Sequence, residues 1–344
     1  MISRRKLTAV CFLAGALVAL QGCNGNLKTS KTYGGGGNAA PAAVPSGSGS
    51  SSAELPESTL TDPASAQGAE SAAVSAASGA ESTSSGLEAK EDVVTKETIA
   101  FDTSWEYADH SKICTGSATL YHAKPSLSKG KIICINAGHG TKGGTEVKTL
   151  CHPDGTPKVT GGTTETGATE AIAVSTGMEF KDGTPEAAAN LQLALITKEK
   201  LLAAGYDVLM IRETDDVQLD NVARTVMANQ NADCHIALHF DTTDFDKGVF
   251  FMSVPSDETY RSMEPVASHW QEHNALGTAL VKGLEEAGFK SFEGGAMEMD
   301  LTQTSYSTIP SVDLEVGDAA SDHSDASLEK TADGIVKGIE GYFS

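Results

Sequence analysis

The chain is poor in positive charge. Its 344 residues hold 25 Lys and Arg against 46 Asp and Glu, a formal net charge of −21. Such acidity argues against nucleic acid or an anionic lipid surface as a partner. The six cysteines contain no Cys-x-x-Cys pair, which argues against a zinc site built on thiolates. Ser175, Ser253 and Ser305 lack a Gly-x-Ser-x-Gly surround, so a serine nucleophile on a strand-to-helix elbow is not expected. No internal repeat occurs. The longest apolar stretch, Leu7 to Leu20, is too short for a confident membrane-spanning helix.

That stretch has another meaning. Arg4, Arg5 and Lys6 precede it, and Leu20-Gln21-Gly22-Cys23 follows it, the layout of a bacterial lipoprotein signal. Residues 1–22 are read as a cleaved signal peptide and Cys23 as the lipidated residue. The mature chain is then expected to be exported and tethered to the outer face of the bacterial cell membrane, in the cell envelope. A signal cleaved nearby without lipidation is the alternative. Residues 23–96 are dominated by Gly, Ser, Ala, Thr, Pro and Glu, with too little apolar surface to offset ordering entropy. They are read as a flexible tether with an r.m.s. reach of about 45–50 Å.

After an N-terminal extension, 97–129, residues 130–344 make one domain's worth of chain. Within it, Ile132–Ile135, Asp207–Arg212, Cys234–Leu238, Gly248–Val254 and Val312–Leu314 read as strands. They alternate with helical patterns beginning at Glu186, Val222, Ala267 and Leu328. The fold class is therefore α/β, a single domain with a central sheet flanked by helices on both faces. Four cysteines remain in the mature chain beyond Cys23. Cys134 and Cys234 fall in core strands as small buried thiols, and Cys114 with Cys151 is the pairing to test.

Chemistry-bearing residues stand at the ends of these elements, where α/β proteins place their ligands. His139 lies between two glycines just after a strand, Glu186 opens a helix, His239 ends a strand and Glu315 ends another. Two imidazoles and one carboxylate, with a position left for water, are the ligand set of a hydrolytic zinc site, and a further carboxylate can act as general base. Each residue also has a bland reading, such as a turn histidine or a helix N-terminal acid. His235 lies about 13 Å along the strand from His239 and is a core imidazole. His152 reads as a loop residue.

The order of motifs resembles the zinc-dependent N-acetylmuramoyl-L-alanine amidases of the bacterial cell wall, over about 131–344. The matching pieces are Gly138-His139-Gly140, Glu186 with Asn190-Leu191, and Gly205 to Val208 leading to Arg212. They continue with Arg224 and Ala228-Asn229, Ala232-Asp233 leading to His239, and Ile309-Pro310 leading to Glu315. The resemblance implies a mixed, mainly parallel sheet of about six strands. It also implies Zn²⁺ on His139, Glu186 and His239, Glu315 as catalytic general base, and hydrolysis of the bond between N-acetylmuramic acid and L-alanine. Peptidoglycan is then the substrate, the membrane is reached only through the lipid anchor, no nucleic acid is bound, and a monomer is expected.

Arg212 and Arg224 match the family pattern as substrate-binding residues, although pairing with Asp215, Asp216 or Asp220 explains them as well. This chain departs from the family at Asn136, where Asp is common, and at Asp313, where an apolar residue is usual. It also carries a long insertion, 141–185, in which Glu165, Glu170 and Glu179 compete with Glu186 as ligands. The insertion either roofs the cleft or decorates the surface. Two rival functions stay open at this stage: a non-catalytic cell-wall-binding lipoprotein on the same fold, and a zinc peptidase cutting elsewhere in the stem peptide.

Overall fold

A computed structural model describes residues 91–344. The signal segment 1–22, Cys23 and the tether as far as residue 90 lie outside the described residues. The elements run β1 (Thr95–Ala100), β2 (Ser117–His122), β3 (Ile132–Ala137), β4 (Lys148–Leu150), β5 (Glu170–Ile172), α1 (Glu186–Ala203), β6 (Asp207–Met210), α2 (Asn221–Asn231) and β7 (Cys234–Asp241). They continue with β8 (Val249–Ser253), α3 (Glu258–Arg261), α4 (Val266–Glu286), β9 (Ser291–Glu298), α5 (Thr302–Tyr306), β10 (Ser311–Asp318) and α6 (Asp325–Tyr342).

Eight strands form one mixed sheet in the order β1-β2-β6-β3-β7-β10-β8-β9. The expected number was about six. The 97–129 segment is more than an extension, because β1 and β2 pair antiparallel with each other and β2 pairs antiparallel with β6. β9 was unreadable in the sequence: Gly294 and Gly295 interrupt it with positive φ, and most of its side chains are exposed or half-buried. The central run β6-β3-β7-β10 is parallel throughout.

Strand periodicity feeds two cores. Ile133 and Ile135 of β3 pack with Leu193 and Leu201 of α1, Leu276 and Leu280 of α4, and Ile335 of α6. Cys134, between them, faces the other way with Leu209, Ala223 and Met227 of the α2 side. Both faces of the sheet are therefore covered, as parallel strands require. Helix α2 is capped by Asp220, whose side chain accepts from the Ala223 N–H.

Cys134 and Cys234 are buried thiols, as expected. No bond joins Cys114 to Cys151. Cys114 makes an isolated backbone bridge to Leu219, whereas Cys151 hydrogen-bonds Thr169 at the end of β4, and both remain free thiols. The 141–185 insertion contains the β4/β5 hairpin, a two-stranded sheet of its own.

Candidate metal centre

Three parallel neighbours, β3, β7 and β10, end on the same edge and deliver His139, His239 and Glu315. The register sets Glu315 directly beside His239. The Gly138 N–H bonds the Leu238 carbonyl, so the loop after β3 leaves the sheet next to the end of β7. A side chain at position 138 would run its Cβ into the His239 ring, which explains why glycine stands there. Glu186 arrives from the first turn of α1.

The donor atoms of His139, Glu186 and His239 all lie within 4.8 Å of one another. His139 Nε2 is 2.9 Å from Glu186 Oε2, His239 Nδ1 is 3.1 Å from Glu186 Oε1, and the two ring nitrogens are 3.1 Å apart. Donors at about 2.0–2.1 Å from one tetrahedral ion stand about 3.3 Å apart, so the set has the span of a single zinc-sized site.

The hydrogen bonds around the triad support the same assignment. His139 Nδ1 donates to the Ser175 carbonyl at 2.9 Å, which leaves a lone pair on Nε2 of the neutral ring. That lone pair points at a carboxylate oxygen, an acceptor facing an acceptor. Burial keeps the His139 ring neutral by pushing its pKa down. Glu186, itself 2 % exposed, is held as a carboxylate. Burial opposes ionisation, but the adjoining His139 and His239 rings outweigh it and hold its pKa well below the usual range. Its oxygens also accept from the N–H groups of Met178 and Phe240 and from the Asn190 amide. Burial disfavours a charged His239, but Asp313, Glu186 and Glu315 pull its pKa up to about 10. A cation among these three groups, a proton or a metal ion, is what the geometry calls for, and an N₂O donor set without thiolate suits zinc.

Glu315 is 7 % exposed, and its Oε2 is buried without a partner. Burial first, and then Asp313, push its pKa well above the ordinary value. Glu165, Glu170 and Glu179 stand outside the triad.

Arg212 and Arg224, expected as substrate contacts, have a structural role in the fold, and Arg224 also lines the cavity. Both are buried, and their donors reach backbone carbonyls. Arg212 bonds Ala137, Gly138, Thr214 and Ala187. Arg224 bonds Ala137, His139 and Leu219, together with the Asn136 and Thr141 side chains. They clamp the Gly138-His139-Gly140 loop in place. Asn136, where the family often has Asp, still serves as an acceptor in that clamp. His235 is fully buried beside Ser311, a core imidazole as expected.

The triad opens on a cavity of about 560 Å³. One wall comes from the insertion, including Thr163, Thr164 and Ser175, and another from Met252, Met297 and Met299. The insertion is therefore part of the cleft. Sequence reasoning missed what pins it. Asp300, 1 % exposed, accepts from Lys158 Nζ at 2.8 Å and from the Val159 N–H at 2.7 Å, and meets His152 Nε2 at 3.2 Å. His152 is thus a buried partner of Asp300 and no ordinary loop residue. Nothing in the local sequence marks Asp300, because its partners lie some 140 positions away.

Residues 133–341 match the N-acetylmuramoyl-L-alanine amidase family. No curated protein sequence shows a significant match. The fold is similar to that of the N-acetylmuramyl-L-alanine amidase of Mycobacterium smegmatis, with TM-score 0.50 and 20 % identity over 63 % of this chain and 97 % of that one. It is equally similar to the apo form of the Mycobacterium abscessus amidase, with TM-score 0.50 and 21 % identity over 62 % of this chain and 99 % of that one.

Proposed function

The chain belongs to the N-acetylmuramoyl-L-alanine amidase family, and from that premise we propose that it is a zinc-dependent hydrolase of peptidoglycan. It cuts the amide bond between N-acetylmuramic acid and L-alanine, with His139, Glu186 and His239 as ligands and Glu315 as general base. The observation that carries the metal reading is the convergence of His139, Glu186 and His239, whose donor atoms all lie within 4.8 Å of one another. A zinc ion bound there would lower the pKa of the attacking water and polarise the scissile carbonyl.

The remaining work falls to the chain's own residues. Glu315, on the cavity wall beside His239, takes a proton from the attacking water and returns it to the amide nitrogen as the C–N bond breaks. The products are the lactyl carboxylate of the muramic acid and a peptide with a free L-alanine amine. Glu186 cannot swing to act as base, because two N–H groups and Asn190 fix it. The arginine clamps hold the His139 loop at its working distance, and the insertion and the methionine wall keep the substrate against the triad.

The same reading makes the protein an exported lipoprotein, acylated at Cys23, that reaches the wall through its 23–96 segment. It works as a monomer. Metal analysis and product analysis on the full-length protein and its His139→Ala variant test the function. The expected result is stoichiometric zinc and peptides that begin with L-alanine, both lost in the variant and both abolished by chelation. Peptides with a different new amino terminus point to the peptidase, and a folded, zinc-free, inactive protein points to the binding lipoprotein.

A further inference from the structure

Strand β10 carries a second carboxylate at the centre. Asp313 stands two residues before Glu315, on the same face of the strand. Its register partner on β7 is Ala237, whose small side chain leaves the carboxylate room beside the His239 ring. Asp313 Oδ2 lies 3.8 Å from His239 Nε2, with the side chain 16 % exposed. His239 is its one ion-pair partner among the described residues. Its other oxygen, Oδ1, is buried without a hydrogen bond. Keeping a carboxylate here is costly unless the neighbouring ring offers it a proton.

His239 turns Nδ1 toward His139 and Glu186. When Nδ1 presents a lone pair to a cation, the neutral ring carries its proton on Nε2, the nitrogen that faces Asp313. His139 has the Ser175 carbonyl in the corresponding place. An imidazole whose second nitrogen faces a carboxylate is held in orientation and is the stronger ligand.

We propose that Asp313 is a positioning residue of the metal centre, holding the His239 proton on Nε2 and so aiming the Nδ1 lone pair at an ion shared with His139 and Glu186. The inference rests on the metal reading given above. Asp313 acts through His239 and need not touch the substrate.

The test is a zinc competition titration against a chromophoric chelator, run on full-length wild type, Asp313→Ala and Asp313→Asn, with thermal melting of each zinc-free protein. Asp313→Ala is expected to weaken zinc affinity about 10- to 100-fold. Asp313→Asn recovers part of that loss, because its amide oxygen keeps a partial negative charge facing Nε2–H. The zinc-free melting temperature does not fall in either variant, which separates positioning from a general structural role. If Asp313→Ala does not fold, Asp313→Asn carries the test with a smaller loss. A variant affinity within about twofold of wild type, with zinc bound to the wild type, overturns this inference alone. A wild type that binds no zinc overturns the metal reading and this inference with it.

Discussion

His139 and Ser175 tie the insertion to the metal centre: the imidazole Nδ1–H is donated to the Ser175 carbonyl across 2.9 Å. The Ser175 hydroxyl lies 3.0 Å from the same nitrogen, so both the backbone and the side chain of the 175–178 segment bear on the ring. Gly177 shows how tight that segment is. Its φ is +81°, and an added Cβ would stand 2.6 Å from His139 Cδ2 and 2.7 Å from Glu186 Oε2.

Gly177→Ala should therefore weaken zinc binding by at least about tenfold, whereas Ser175→Ala, which keeps the carbonyl contact and loses only the hydroxyl one, should weaken it less. Metal titration of the two variants checks the pair. An unaltered affinity in Gly177→Ala would show that the segment can move aside freely.

The roof should be a fixed wall, because a buried ionic network holds it. Replacing Asp300 by Asn leaves Lys158 buried and without its carboxylate, and removing one partner of such a pair costs about 3–5 kcal/mol. Denaturant unfolding should register that loss, together with a raised KM as the wall loosens. A variant as stable as wild type would mean that the network contributes nothing to holding the insertion.

Arg224 gives a test of clamp against substrate contact. Arg224→Lys cannot reach the Asn136, Ala137, His139, Leu219 and Thr141 acceptors together, so stability should fall by about 2–3 kcal/mol. The expected kinetic signature is a lower kcat with KM little changed. A higher KM without loss of stability would restore the substrate-binding role.

Stability should decline as the medium turns acid. Burial pushes His235 and His273 down to about 3, helped in His235 by Arg224 and in His273 by His269. The unfolded chain protonates these rings near pH 6.5 while the folded one does not, so their contribution is complete above that pH and drains away as it falls toward 3. Asp300 acts further down. Burial opposes its ionisation, but His152, Lys158 and Thr160 outweigh it and depress its pKa, so its contribution is lost as pH falls below the ordinary carboxylate value. Melting temperatures should drop steadily from pH 7 to pH 4. A flat profile would contradict the assignment of both histidines as buried and neutral.

The triad and Glu315 were legible in the sequence because each stands at or near the end of an element: His139 after a short apolar strand, Glu186 at the head of an amphipathic helix, and His239 and Glu315 toward the carboxyl ends of their strands. The central strands were legible for the same reason, since buried β-branched runs announce themselves. β1 reads TKETIA and is almost wholly exposed, so no apolar alternation marks it as sheet. The role of the arginines was hidden because pairing with backbone carbonyls leaves no partner residue type to find. Lys158 and Asp300 are local in space and remote in chain, and only the folded insertion brings them together.

The central claim is tested most directly by Glu315→Gln in the full-length protein, assayed for bound zinc and for release of peptides beginning with L-alanine. The account predicts a folded variant that keeps its zinc and loses activity by about 10²- to 10⁴-fold. A zinc-loaded Glu315→Gln protein that cleaves peptidoglycan at the wild-type rate would contradict it.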